Sequence, residues 1–159
     1  MSNIAKSVWN GRIPLSVTTN EDDAIYFGAN ESPAPILFEL PRLSYLTVLT
    51  EQAWDAFAAV GLNISESISD IWFEYQGIPL KWHYPVGLLY DTLCIAEGSF
   101  NKSPDTKPIP WPITIHFRNY PSTNLFRDQS IETTRDFFMS MVKEVSIVFR
   151  TILVAIALT

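Results

Sequence analysis

Between residues 71 and 89 the chain reads IWFEYQGIPLKWHYPVGLL. Five aromatic side chains and a histidine crowd into this stretch. Each aromatic ring carries roughly 150–250 Å² of surface that gains by leaving water. Such a segment has to lie within a fold or against a partner, and its periodicity restricts how. Ile71, Phe73 and Tyr75 alternate with Trp72 and Glu74, which is the period of a strand. Gln76-Gly77 supplies a turn. Leu80, Trp82 and Tyr84 then alternate with Lys81 and His83 as a second strand. Pro85 stands where proline suits the first turn of a helix, whose buried face is Val86, Leu89 and Leu93 with Asp91 on the polar side. Aromatics fall on both faces of the two strands. One set lines a core; Trp72 and His83 belong to the other face, where exposed aromatics would make a partner surface.

The rest of the chain supplies elements to pack against this unit. Residues 8–18, VWNGRIPLSVT, read as a strand with a kink, because Pro14 is tolerated only at an edge or bulge. Residues 19–34 are acidic, with Asn, Gly and Pro, and read as the loop of a hairpin that closes on a second strand at 35–40, PILFEL. Leu46, Leu49, Ala53, Trp54, Phe57 and Val60 recur at helical spacing, and Gly61 stops that helix. Residues 96–110 form a polar loop, and 111–117, WPITIHF, another strand with Ile113, Ile115 and Phe117 on one side. A linker over 119–130 leads to a helix from Ile131, capped by Asp128 or Ser130. Its apolar stripe is Phe138, Met141, Val142 and Val145, opposite Asp136, Ser140 and Lys143. Strand, strand, helix, strand, strand, short helix, strand describes an α+β fold, the ubiquitin-like β-grasp. The helix from Ile131 lies beyond it and begins a helical region.

Composition bounds function by exclusion. With 47% hydrophobic and 18% charged residues the chain is globular, and 159 residues suffice for one domain with a short extension. A net charge of −6 argues against nonspecific nucleic-acid binding, which needs basic surface to displace counterions. One cysteine, Cys94, forms neither an internal disulfide nor a thiolate zinc cage, and MSNIAKSVWNGRIP has no apolar signal core. Both point to the cytoplasm.

Chemistry-bearing motifs are missing. The sequence holds no glycine-rich phosphate loop, no CxxC and no HExxH, so no cofactor or metal is expected. His83 and His116 both fall in expected strands, without ligand spacing. Cys94 with His83 would make a nucleophile and its base, but Cys94 follows Leu93 on an apolar helix, where cysteine behaves as a small hydrophobe. Lys143 reads as a solvated lysine; its amine could attack an activated carbonyl, and spacing alone gives no sign that it does.

Five segments carry a resemblance. VWNGRIPL, LPRLSYL, IWFEYQGIPLKWHYPVGLLYDTL, PWPITIHFRNYP and FFMSMVKE, spread in order from Val8 to Glu144, resemble the autophagy protein 5 family. The resemblance implies an amino-terminal ubiquitin-like domain over 1–120, followed over 121–144 by a linker and the acceptor-lysine helix that begins a helix-rich region. In the family a lysine of that helix receives the carboxyl terminus of autophagy protein 12 as an isopeptide; the matching residue is Lys143, in MVKE. It also implies that the chain is no enzyme. The conjugate binds the coiled-coil autophagy protein 16 and acts ligase-like in joining autophagy protein 8 to phosphatidylethanolamine. The chemistry on the lysine belongs to transient activating and conjugating enzymes. The expected location is the cytoplasm and, peripherally, the membrane of the preautophagosomal structure. Trp9, Arg12, Trp72 and His83 are the candidate partner surface.

After Glu144 the sequence leaves the family. VSIVFRTILVAIALT, residues 145–159, is apolar and shorter than the roughly 20 residues of a membrane span, and Arg150 interrupts it. The expectation is a retained intron, since Val145-Ser146 can be encoded by a splice-donor-like hexamer. Two alternatives to a conjugated scaffold follow. One is a truncated, non-conjugated ubiquitin-like binding module. The other is an enzyme dependent on Cys94.

Overall fold

The computed structural model describes residues 6–7, 9–64, 67–97, 109–127 and 132–144, with residues 95–97 described by their backbone alone. Five strands form one mixed sheet in the order β2-β1-β5-β3-β4. Strand β1, Arg12–Thr19, buries Ile13, Leu15, Val17 and Thr19 at alternate positions, the pattern of a strand with one face on a core. It pairs antiparallel with β2, Ile36–Pro41, and parallel with β5, Trp111–His116. β5 in turn pairs antiparallel with β3, Trp72–Tyr75. This is the β-grasp arrangement that the element order implies.

β1 therefore lies inside the sheet, not at its edge. Pro14 is accommodated because the β5 ladder begins one residue later, at Leu15↔Trp111, so the missing N–H falls outside that ladder. A second correction concerns residues 19–34, which hold a short helix, α1, Glu21–Tyr26. The Asn20 side chain caps it by accepting the Asp22 N–H at 2.9 Å, and Glu21, Asp22 and Asp23 in its first turn favour the positive end of the helix dipole.

Helix α2, Leu46–Ala59, is the helix that the sheet grasps. Leu46, Leu49, Ala53 and Phe57 are buried, and Trp54 packs partly buried on the same core. Val60, expected in this stripe, is exposed just beyond the helix end. Gly61 follows at φ +101°, a conformation that suits glycine.

The 71–89 stretch folds largely as its periodicity predicts. Ile71, Phe73 and Tyr75 are buried in the main core. Gln76 (φ 50°) and Gly77 (φ 79°) both take left-handed backbone, as a two-residue hairpin turn requires, and a Glu74 carboxylate oxygen accepts the Gly77 N–H at 2.9 Å. The second strand is shorter than expected. β4 is only Ile78–Pro79, because Pro79 offers no N–H to extend a ladder, and residues 82–84 form a turn. Leu80 and Trp82 still reach the core, Trp82 with its indole N–H donating to the Phe126 carbonyl at 2.9 Å. Helix α3, Val86–Glu97, starts directly after Pro85.

Trp72 points to the other sheet face, as alternation requires, but that face is covered. Residues 117–127 cross it and enclose Trp72 with Tyr120 and Leu125 in a second small cluster. The Trp72 ring stacks on His116 at 3.9 Å, and its indole N–H donates to the Arg118 carbonyl at 2.8 Å. Trp72 is thus 9% exposed and structural, not a free partner surface. Residues 132–144 form the last helix, α4. The expected caps Asp128 and Ser130, most of the 96–110 loop and the 145–159 tail lie outside the described residues. Among the described residues no helix is long and apolar enough to cross a membrane.

Candidate functional site

Two features of α4 define the candidate site: its outward lysine and the groove it shares with the sheet domain. Thr134 is buried and Phe137 packs against the main core. Nine residues at about 100° each set Lys143 half a turn from Thr134, so it projects away from the domain. Lys143 is exposed, together with Asp136 and Ser140, as the polar face predicts. The apolar stripe is displaced from its expected position. The packed line is Thr134, Phe137 and the half-buried Met141, while Phe138 and Val142 flank it and remain about half exposed. Phe137 wins because three rings, Trp82, His83 and Phe126, receive it.

Phe138 instead lines an open groove of about 660 Å³. The other walls are Trp9, Leu43, Tyr45, Pro85, Thr134 and Arg135, an apolar set with one cation. Local hydrogen bonds explain why these distant residues meet. The first two N–H groups of α3 have no helical acceptors, and the 42–44 turn supplies them: Val86 N–H donates to the Ser44 carbonyl and Gly87 N–H to the Arg42 carbonyl, both at 2.8 Å. The Arg42 guanidinium is ion-paired with Asp91 on the next turn of α3. A Cβ at Gly87 would stand 2.9 Å from the Arg42 carbonyl oxygen and Cβ, so only glycine permits this approach. The segment that carries Trp9 is tied on through the Arg42 N–H, which donates to the Gly11 carbonyl at 2.9 Å. Burial raises the Tyr45 phenol above its ordinary pKa of 10.0.

The four residues of the expected partner surface therefore separate. Trp9, 60% exposed, stands on the groove, although it precedes β1 in a helical turn instead of extending the strand. Arg12 is engaged within the β1–β2 pair, its guanidinium 3.1 Å from the Glu39 carboxylate. Trp72 is covered. His83 is half-buried among Trp82, Tyr84, Phe126 and Phe137, and burial followed by the charge of Lys81 lowers its pKa below 6.5. Leu43 and Tyr45 are not among the expected partner residues, and Phe138, expected in the buried stripe of α4, stands in the groove; the sequence signal for the first two is that they are apolar residues between the end of β2 and the start of α2. Cys94 is buried in the main core, whereas His83 faces the rings of α4 and the linker.

The family model described as the UblA domain of autophagy protein ATG5 matches residues 8–117. The chain belongs to the autophagy protein 5 family. It is 36% identical to autophagy protein 5 of Phaeosphaeria nodorum over 156 residues, covering 90% of this chain and 49% of that protein. With autophagy protein 5 of Emericella nidulans the identity is 35% over 154 residues, covering 93% and 45%. The chain thus spans about half the length of these relatives. The crystal structure of Kluyveromyces marxianus Atg5 superposes with a TM-score of 0.69 over 91% of this chain and 56% of that one, at 22% identity, a likeness of fold. Family membership carries a role in autophagy and a ubiquitin-like fold. The site of this family member combines an outward lysine and an apolar groove on opposite sides of one helix.

Proposed function

We propose that the chain is a conjugation substrate and scaffold of the autophagy lipidation machinery, not an enzyme. The observation that carries this reading is Lys143, exposed on the side of α4 opposite the buried Thr134, in a chain of the autophagy protein 5 family. A conjugating enzyme needs an amine it can reach without unfolding its target. The neutral Nζ of Lys143 attacks the thioester carbonyl at the carboxyl terminus of autophagy protein 12. The C–N bond forms, the C–S bond breaks, the enzyme's cysteine leaves as thiolate, and the amine gives up one proton. The groove offers the conjugate an apolar surface for the helical partner, autophagy protein 16, since a coiled-coil chain presents an apolar helix stripe that such grooves accept. The complex then promotes joining of autophagy protein 8 to phosphatidylethanolamine, peripherally at the preautophagosomal membrane from the cytoplasm. The test is tryptic mass spectrometry after incubation with autophagy protein 12 and its activating and conjugating enzymes. A branched peptide at Lys143 is the expected product; a branch at another lysine would overturn the assignment.

A second reading is favoured by one observation, the open apolar groove between α4 and the sheet domain. In it the chain is a binding module that engages a partner through the groove and is never conjugated. Partner binding unchanged by Lys143→Arg, with no branched peptide, would select it.

A further inference from the structure

The contact between α4 and the sheet domain contains an ionisable ring. Phe137 stacks on His83 with ring centres 5.2 Å apart and planes 24° from parallel. His83 is also in ring contact with Trp82, Tyr84 and Phe126, at 5.4, 4.7 and 5.8 Å. Trp82 and Phe126 touch Phe137 as well, at 5.7 and 5.3 Å, so the rings form one closed cluster joining the 82–84 turn, the linker and α4. Inside it the Nδ1 of His83 is sealed from solvent and has no hydrogen-bond partner. A neutral imidazole tolerates this, because its single proton can sit on Nε2 and leave Nδ1 a bare lone pair. The imidazolium cannot, since both nitrogens then carry a proton and one would be buried with no acceptor.

We infer that His83 and Phe137 form a proton-sensitive latch, which holds α4 on the domain while the imidazole is neutral and releases it when the imidazole is protonated. Among the described residues, the surroundings give no carboxylate to stabilise the cation. On the segment of His83 the charged neighbour is Lys81, which repels it. From the linker, Arg127 follows Phe126 and is occupied with Asp70. From α4, Arg135 and Asp136 precede Phe137, and both are exposed. On α3, Asp91 is taken by Arg42. The ring faces would attract a cation, but desolvation and Lys81 act the other way, and the net direction for His83 is downward. Docked α4 therefore disfavours the proton. Docking is strongest at neutral pH and weakens as pH falls through the ordinary value of 6.5, until the docked state itself takes up the proton. Each unit of lowering in the docked state converts to a tenfold weaker latch on full protonation.

Only the importance of the latch rests on the proposed function, through Lys143 at the far end of the same helix. The test does not use conjugation. Amide exchange over residues 137–144 of the full chain is compared with that of β1 and β5, at about pH 7.5 and about pH 5.5, after correction for intrinsic rates. α4 protection is expected to fall several-fold further in acid than that of β1 and β5, whose smaller loss follows His116, and His83→Phe, which keeps a ring and removes the proton, is expected to abolish this excess. In parallel the His83 ring is titrated by NMR, assigned against His116→Gln, with and without Phe137→Ala. The midpoint is expected below 6.5 and to rise when Phe137 is removed. Protection independent of pH, an equal step in His83→Phe, or a midpoint at or above 6.5 would overturn the latch. A pH step in a chain that is not conjugated at Lys143 would retain the latch and remove the acceptor reading.

Discussion

A carboxylate that is 3% exposed survives in a fold when its oxygens are occupied, as those of Asp23 are. One oxygen accepts the Phe117 N–H at 2.8 Å and the other the Arg118 guanidinium at 3.0 Å, while the guanidinium also lies 3.7 Å over the Tyr26 ring. This side chain binds α1 to the end of β5. Asp23→Ala leaves a buried N–H and a half-buried cation unpaired, and should cost roughly 3–5 kcal/mol in urea unfolding, with Asp23→Asn costing less. Nothing in the local sequence announces this role, because the partners lie 94 and 95 residues away. His116 makes a second prediction at this scale. Burial lowers its pKa, opposed by Glu74, whose carboxylate is 3.1 Å from Nε2, and by Asp23. The unfolded chain therefore binds this proton more readily. Stability should be full above pH 6.5 and decline as pH falls below it, and His116→Gln should reduce the decline in unfolding experiments at about pH 7.5 and about pH 5.5.

Elements were legible where their periods are local. The α2 stripe, the β3 alternation, the Gln76-Gly77 turn and Pro85 before α3 each depend on neighbours a few residues apart, and apart from Val60 at the end of the stripe each stands where the sequence puts it. α1 lies in a stretch whose composition reads as loop, although Asn20 with three following acids is a helix-start signal; six residues are too few to show a period. Which face of α4 packs was not legible either, since Phe137 and Phe138 are adjacent and equally apolar, and the rings that choose Phe137 come from residues 82–126. Two substitutions test the element-level account. Gln76→Asn places a residue that accepts left-handed backbone at φ 50°, and should stabilise the hairpin by about 0.5 kcal/mol. Gly87→Ala drives a Cβ against the Arg42 carbonyl and should cost about 1–3 kcal/mol, with increased exchange at the Val86 and Gly87 amides that the 42–44 turn receives.

At the scale of the molecule, a β-grasp domain carries one further helix whose two sides differ in kind. The inner side closes an aromatic cluster and an apolar groove; the outer side presents Lys143. The groove escaped sequence reading because it unites residues 9, 43, 45, 85, 134, 135 and 138, which only the folded chain brings together. In the proposed account the two sides are separable. Trp9→Ala should weaken association with autophagy protein 16 by about tenfold, the loss of one aromatic anchor, and leave modification of Lys143 unchanged. The most direct test of the central claim is a reconstituted reaction with autophagy protein 12 and its activating and conjugating enzymes, followed on a denaturing gel for the wild-type chain and Lys143→Arg. The account predicts a covalent, reductant-resistant shift in the wild type that is lost in the variant. A shift that persists in Lys143→Arg, or its absence from a wild-type chain shown by exchange to keep α4 docked, would contradict it.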